Sequence, residues 1–333
     1  MAGPKEWRRR RALDRIERAS VWIWGSPRSG SSWLLAQLCD PLEPDVRRRS
    51  GFRVIQGARA RADGAIDAIP IDEPFIANHL APALADPIER GDGSYEAATP
   101  NRHLAREPGY AFSARHIASW VPAFRELALL RLQAHVEQGL SDALDLADPP
   151  RLAIKEGSGS HASDLVMSVF SQSRMVFLTR DGRDVVDSLL HAYEPGGFLA
   201  KNQGWAISSP AQRSDALAWA CRLWACNVDV TLRAHDAHDP ERRTIVRYED
   251  LLADPQAGMR SLFDWLELER TETRIAELVA AHDFGAVPAT RRGAKTRQRA
   301  ASPGLWRENL SPAEQVKARD ILGPRLERLG YED

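Results

Sequence analysis

Between Val21 and Trp33 the chain reads Val-Trp-Ile-Trp-Gly-Ser-Pro-Arg-Ser-Gly-Ser-Ser-Trp. An apolar run of strand length breaks into a turn rich in glycine and hydroxyls, and a helical pattern starts at Ser31. Strand, glycine-rich turn and helix N-terminus in that order form an anion site, because unpaired backbone N–H groups and the helix dipole point the same way. The spacing Gly25-x4-Gly30 matches the first half of the ATP-type phosphate loop. Ser31, however, stands where that loop has the lysine that reaches the β- and γ-phosphates. This argues against ATP or GTP hydrolysis. Arg28 supplies a cation earlier in the turn, which suits a shorter anionic tail. The bland alternative is a tight strand-to-helix turn with a serine N-cap.

Further along, short apolar runs alternate with helical patterns, the signature of βαβ units and a parallel sheet. Strands are expected at Val21–Trp24, Ala68–Ile71, Leu152–Lys155, Met175–Thr179 and Thr244–Arg247. Helices are expected at Ser31–Cys39, Pro74–Ala85, Ala114–Glu137, Ala162–Phe170, Arg183–His191, Gln212–Ala234, Pro255–Leu266 and Pro312–Leu329. The fold class is therefore α/β, a phosphate-loop-like parallel sheet flanked by helices in one domain with long substrate loops. A basic N-terminal extension, 1–20, precedes a domain spanning 21–333. Leu127, Leu130 and Ala134 recur at helical spacing and mark a core face. Two stretches, 86–112 and 194–210, read as irregular and are candidate substrate lids.

Composition narrows the function. The 333 residues carry 45 basic and 46 acidic side chains, a net charge of -1, so a nucleic-acid grip by bulk charge is excluded. No apolar stretch reaches the length of a membrane helix. The arginines at 8–11 have no apolar run behind them, so they do not form a secretory signal. Three cysteines, Cys39, Cys221 and Cys226, fit a reducing, cytoplasmic setting better than a disulfide framework. A basic loop holding Arg291, Arg292, Lys295, Arg297, Arg299 and Arg307 reads either as a solvated loop or as a face toward an anionic ligand.

A second anion site lies beyond the strand Met175–Thr179, which ends in Arg180-Asp181-Gly182-Arg183-Asp184-Val185-Val186-Asp187-Ser188. Arg180 stands at the strand's carboxyl end, where ligands bind in doubly wound sheets. Ser188 lies about two turns into the next helix. An arginine fork and a hydroxyl suit a phosphate monoester. Taken alone, Arg180, Asp181 and Arg183 read as a surface ion-pair cluster. Two separated phosphate sites together suggest a nucleotide phosphorylated at two places.

These segments resemble the sulfotransferase family. Ser26-Pro27-Arg28-Ser29-Gly30-Ser31-Ser32-Trp33 looks like its 5′-phosphosulfate loop, and Leu178–Ser188 like its 3′-phosphate motif. Val246-Arg247-Tyr248-Glu249-Asp250-Leu251 and Pro303-Gly304-Leu305-Trp306-Arg307 resemble the family's later landmarks, in family order. The resemblance implies the donor 3′-phosphoadenosine 5′-phosphosulfate (PAPS), with no metal. It implies that Pro27, Arg28, Ser29, Gly30, Ser31 and Ser32 hold the phosphosulfate, and that Trp33, Tyr248 and Phe284 approach the adenine. Arg180, Ser188 and Arg299, with the Gly304 loop, would hold the 3′-phosphate; Arg291 and Arg292 mimic the last motif at the wrong distance from Gly304. Arg28 stands where the cytosolic branch has lysine, and Ile154-Lys155-Glu156-Gly157 replaces that branch's Lys-Thr-His strand end. The arginine points to the carbohydrate-type and bacterial branch.

Sulfuryl transfer needs an aligned nucleophile, cations on the equatorial and bridging oxygens, and a base for the hydroxyl proton. Glu73 in Ile71-Asp72-Glu73-Pro74, at a strand-to-helix junction, is the first candidate base. Glu156 is the second and His161 the third. Lys155 would steady the leaving phosphate or the sulfonate, or else form an ion pair. His235 and His238 read as solvated. Trp219, Trp224, Cys221 and Cys226 read as core, while Trp120 and Trp205 are candidates to stack on an acceptor. The expected acceptor is a hydroxyl of a small molecule or glycan. The rivals are a phosphate-loop kinase or nucleotidase, and a nucleotide-binding module without chemistry.

Overall fold

The structure is a computed structural model that describes residues 4–39, 68–72, 117–139, 151–287, 293 and 301–331. Its strands are β1 (Ser20–Trp24), β2 (Ala68–Asp72), β3 (Arg151–Lys155), β4 (Arg174–Thr179) and β5 (Arg243–Arg247). Its helices are α1 (Pro4–Ala19), α2 (Ser31–Leu38), α3 (Ile117–Gly139), α4 (Ser163–Val169), α5 (Gly182–Tyr193), α6 (Phe198–Gln203), α7 (Pro210–Ala237), α8 (Tyr248–Ala253), α9 (Pro255–Trp265), α10 (Glu272–Ala281), α11 (Trp306–Asn309) and α12 (Pro312–Arg328).

The five strands form one sheet in the order β2-β3-β1-β4-β5, and every ladder is parallel. All four expected strands that flank the site, and the fifth, lie within one residue of their expected ends. Each carries a short apolar run, and burial on both faces is what such runs require in a parallel sheet. β1 shows the alternation of faces. Trp22 and Trp24 enter one core, where their rings stack 5.4 Å apart, while Val21 and Ile23 enter the core on the other face. The chain fills one side of β1 with β2 and β3, then crosses to β4 and β5. The crevice at the carboxyl ends of β1 and β4 is thus the topological switch point, the place where ligands bind in open α/β sheets.

Several expectations are revised. Residues 4–19, read as an extension, form α1, whose Leu13, Ile16 and Ala19 are buried in the first core. Its Glu17 is buried too and pairs with Arg125 of α3. In α3 the buried stripe is Ala128, Leu129 and Leu132, and Leu127 is 60% exposed. Residues 157–162 form a 3-10 turn ahead of α4. The stretch 194–210 is not irregular throughout, because it contains α6. His238 is buried, with Nε2 2.8 Å from the Ser173 carbonyl, rather than solvated. Trp120 is buried against Phe124 and has no open face for an acceptor, whereas Trp205 is 44% exposed. Trp224, Cys221 and Cys226 are core, as expected, and Trp219 packs against it. The expected helix at 74–85 and the stretch 86–112 lie outside the described residues.

Candidate functional site

The turn after β1 is shaped by close approach. A Cβ on Gly25 would fall 2.4 Å from the Leu178 carbonyl of β4, so only glycine lets the chain leave the sheet here. Ser160, far along the chain, braces the same residue: its Oγ accepts from the Gly25 N–H at 2.9 Å and donates to the Gly25 carbonyl at 2.8 Å. Arg28 has φ 74°, a left-handed conformation unusual for a side-chain-bearing residue. Such strain persists only where neighbours hold it, and it concentrates at functional sites. Gly30 (φ 95°) is the N-cap of α2, so the serine cap of the bland alternative does not form. The first return bonds of α2 start at Trp33 and Leu34, both to the Gly30 carbonyl, so the N–H groups of Ser31 and Ser32 face out of the helix end.

The two arginines meet at this turn. Arg28 Nε donates to Ser188 Oγ at 3.0 Å, and Arg180 Nη1 donates to the Arg28 carbonyl at 3.1 Å. The loop after β1 and the first two turns of α5 therefore share one rim. The Arg28 guanidinium lies 5.1 Å from the centre of the Phe198 ring and that of Arg180 lies 4.7 Å from the Tyr248 ring. Aromatic faces of this kind attract cations and help hold them in place. Ser29 Oγ and Arg180 Nε are buried and have no hydrogen-bond partner among the described residues. Two orphan donors at this turn match an anionic ligand with several acceptor oxygens.

Arg183 does not join them. It is bound along its fork by Asp181, at 2.9–3.2 Å, and lies over the Trp306 ring. Asp181 and Arg183 do form an ion pair, but a buried one rather than the surface cluster of the alternative reading. Asp181 also caps α5 through the Arg183 N–H.

Tyr248 is packed against the turn itself, since a Cβ on Gly30 would fall 2.6 Å from its ring. Trp33 meets Tyr248 edge to face at 5.7 Å and donates its Nε1–H to the His282 carbonyl at 2.9 Å. Half-buried Phe284 follows two residues on, in the turn Phe284–Ala286. Trp33 and Tyr248, two of the aromatics expected on the adenine side, are thus in contact, and the third follows the residue that Trp33 bonds. Burial pushes the Tyr248 phenol and the Glu249 and Asp184 carboxyls up from their ordinary values. Gly304 (φ 86°) donates its N–H to Asp184 Oδ2 at 2.7 Å.

A model of the sulfotransferase family matches residues 20–272, from β1 into α10. The chain belongs to the sulfotransferase family. Among curated proteins, mouse carbohydrate sulfotransferase 5 is 30% identical over 166 residues, which is 47% of this chain and 41% of that one. The chain thus spans less than half the length of this curated relative. A mouse sulfotransferase solved in complex with PAP aligns with TM-score 0.49 and 12% identity, covering 92% of this chain and 83% of that one. A sulfotransferase from Mycobacterium avium aligns with TM-score 0.47 and 16% identity, covering 93% and 76%.

On the other side of β1 the chain carries its basic and acidic candidates. Lys155, at the end of β3 and opposite Ile23 and Asp72 in the ladders, is buried, with Nζ 3.4 Å from Ser32 Oγ. Glu156 is fully buried, and its N–H donates to the Ile23 carbonyl at 3.2 Å. His161 is buried within the 157–162 turn. Glu73, Arg291, Arg292 and Arg299 lie outside the described residues, although β2 ends immediately before Glu73 at the sheet's carboxyl edge. Sequence reasoning missed Ser160, Phe198, Asp184 and Asn309. Asp184 stood inside a quoted motif, but its partner is 120 residues away. Nothing local marks the other three.

Proposed function

We propose that the protein transfers a sulfuryl group from PAPS to a hydroxyl of a small molecule or glycan. The observation that carries this is the convergence of Arg28, Arg180 and Ser188 on one rim. Two cationic forks separated by one serine suit a nucleotide anionic at both ends. The orphan donors Ser29 Oγ and Arg180 Nε fit such a group. Bound there, the donor would supply the activated sulfuryl group.

The chain's own residues divide the work. Pro27, Arg28 and the hydroxyls and N–H groups of Ser29, Gly30, Ser31 and Ser32 hold the phosphosulfate end. Arg180 and Ser188, with Arg299, hold the 3′-phosphate. Trp33, Tyr248 and Phe284 flank the base. Preorganised cations and dipoles of this kind stabilise developing charge without reorganising during the reaction. Lys155, beside Ser32, adds charge next to the leaving oxygen. Glu73 accepts the hydroxyl proton, with Glu156 as the second candidate. No metal is required, because the arginines and amides carry the charge. The glycan arm of the proposal draws support from the carbohydrate sulfotransferase among the relatives.

Among the described residues no helix is long and apolar enough to cross a membrane. The three cysteines are free and buried, which supports a reducing, cytoplasmic setting.

The test is direct. The purified protein is incubated with PAPS and a panel of hydroxyl acceptors, and sulfated product and released 3′,5′-bisphosphoadenosine are measured by mass spectrometry. Product without added metal supports the reading. Magnesium-dependent ATP turnover supports the kinase rival. Bisphosphoadenosine binding with no transfer to any acceptor supports the module without chemistry.

A further inference from the structure

Helix α7 runs behind both ends of the anion rim and meets each with a different residue. Trp224, Asn227 and Thr231 recur at helical spacing, so they share one face of the helix, and all three are buried. Trp224 donates its Nε1–H to the Arg180 carbonyl at 3.2 Å. Its ring lies so close to the start of α5 that a Cβ on Gly182 would fall 2.8 Å from it. Asn227 Nδ2 faces Ser26 Oγ at 3.5 Å. Thr231 Oγ1 lies 3.2 Å from Ser163 Oγ, which is 2.8 Å from the Ser160 carbonyl.

Ser160 completes the path to the turn after β1. The last pair of the β1–β3 ladder is Ile23 with Lys155, and the Glu156 N–H still reaches the Ile23 carbonyl. Two residues on, the buried Gly25 lies past the ladder, where an unpaired N–H and C=O would be costly. The Ser160 hydroxyl serves both groups, as acceptor and as donor. What Ser160 and Asn227 hold is the base of the turn. The Ser29 N–H donates to the Ser26 carbonyl at 3.1 Å, and a Cβ on Gly25 would fall 2.8 Å from Ser29 Oγ. Gly25 and Ser26 therefore set where the orphan Ser29 hydroxyl stands. Thr231, Ser163 and Ser160 are all fully buried, where the low dielectric strengthens each link.

We propose that this face of α7 is a strut that positions the two anion-holding turns separately: Trp224 sets the Arg180 end, while Asn227, Thr231 and Ser160 set the Ser29 end. The proposal rests on the reading of this rim as a nucleotide site. The four are positioning residues, since they act through Arg180, Gly25 and Ser26.

The pattern of loss distinguishes a strut from a helix that merely supports the fold. General loosening of α7 would weaken every adenosine phosphate alike. Two separate ties predict that each variant weakens only the ligands whose phosphate its own turn holds.

The experiment measures, by calorimetry, the affinities of adenosine 3′-phosphate, adenosine 5′-phosphate and 3′,5′-bisphosphoadenosine for wild type, Ser160→Ala, Thr231→Val and Trp224→Phe. Ser160→Ala should bind the 5′-phosphate and the bisphosphate about tenfold more weakly, and the 3′-phosphate within about twofold of wild type. Thr231→Val nearly keeps the side chain's shape and should show the same selectivity at about threefold. It carries the test if Ser160→Ala does not fold. Trp224→Phe removes the N–H but keeps an aromatic ring, and should weaken the 3′-phosphate and the bisphosphate about threefold while sparing the 5′-phosphate. A folded variant that weakens all three ligands alike, none of them, or those bearing the opposite phosphate overturns the proposal. A wild type that gains no affinity from either phosphate overturns the underlying site reading instead.

Discussion

The carboxyl edge of the sheet has two halves that are built differently. On the β4 side of β1, Arg28, Ser188 and Arg180 are tied to one another by side-chain and backbone bonds, and aromatic rings support both guanidinium groups. On the β3 side, Lys155 reaches Ser32 at 3.4 Å, Glu156 is buried at the strand end, and Glu73 follows the last residue of β2. The first half is a cross-braced cluster of cations, which suits an anion. The second places single groups at the ends of strands, which suits a wall whose shape is completed by loops. A donor common to a whole family needs a fixed cradle, whereas acceptors differ and are read by variable segments.

Three substitutions sharpen or break this contrast. The largest effect is expected from Arg28→Ala, which removes the cation at the centre of the cradle. Transfer should fall about 10²- to 10³-fold, as when one preorganised donor is taken from a charge-stabilising site. A loss under tenfold in a turnover assay would mean that the cradle is not where charge develops.

Next comes Glu73→Gln. It should lower kcat about 10²-fold while bisphosphoadenosine affinity is retained, because a general base acts on the acceptor proton alone. Full turnover in this variant, with loss in Glu156→Gln, would move the base to the end of β3.

The smallest effect is structural. Gly30→Ala puts a Cβ 2.6 Å from the Tyr248 ring at φ 95°, and should cost about 2 kcal/mol, seen as a lower thermal midpoint and weaker nucleotide binding. An unchanged midpoint would show that Tyr248 can move away from the turn.

Much of the donor half was legible in the sequence. The strand at 21–24, the glycine turn and the helix start are consecutive residues, so local patterns report them directly. Arg180 was legible because a buried apolar strand ends just before it. What escaped depends on distance along the chain. Ser160 braces Gly25 across 135 residues, and Asp184 meets Gly304 across 120. No local period encodes either pair. The expected stripe of α3 was right only in part, with Leu130 against the core and Leu127 exposed, for a different reason. Leu127, Leu130 and Ala134, and the buried Ala128, Leu129 and Leu132, both repeat at helical spacing, so periodicity alone cannot choose between adjacent apolar stripes. Packing of α3 against α1 decides it, and α1 was read as an extension rather than a helix. His238 was misjudged because its polar turn folds back onto the Ser173 carbonyl.

On the proposed reading, Arg28 and Arg180 hold opposite ends of one doubly phosphorylated adenosine. The most direct measurement compares the affinities of 3′,5′-bisphosphoadenosine and adenosine 5′-phosphate for the wild type and for Arg180→Ala. Charge-assisted bonds to the 3′-phosphate should make the bisphosphate about 10- to 100-fold tighter in the wild type, and most of that advantage should vanish in the variant. Equal affinities in the wild type, or an advantage that survives the loss of Arg180, would contradict the account.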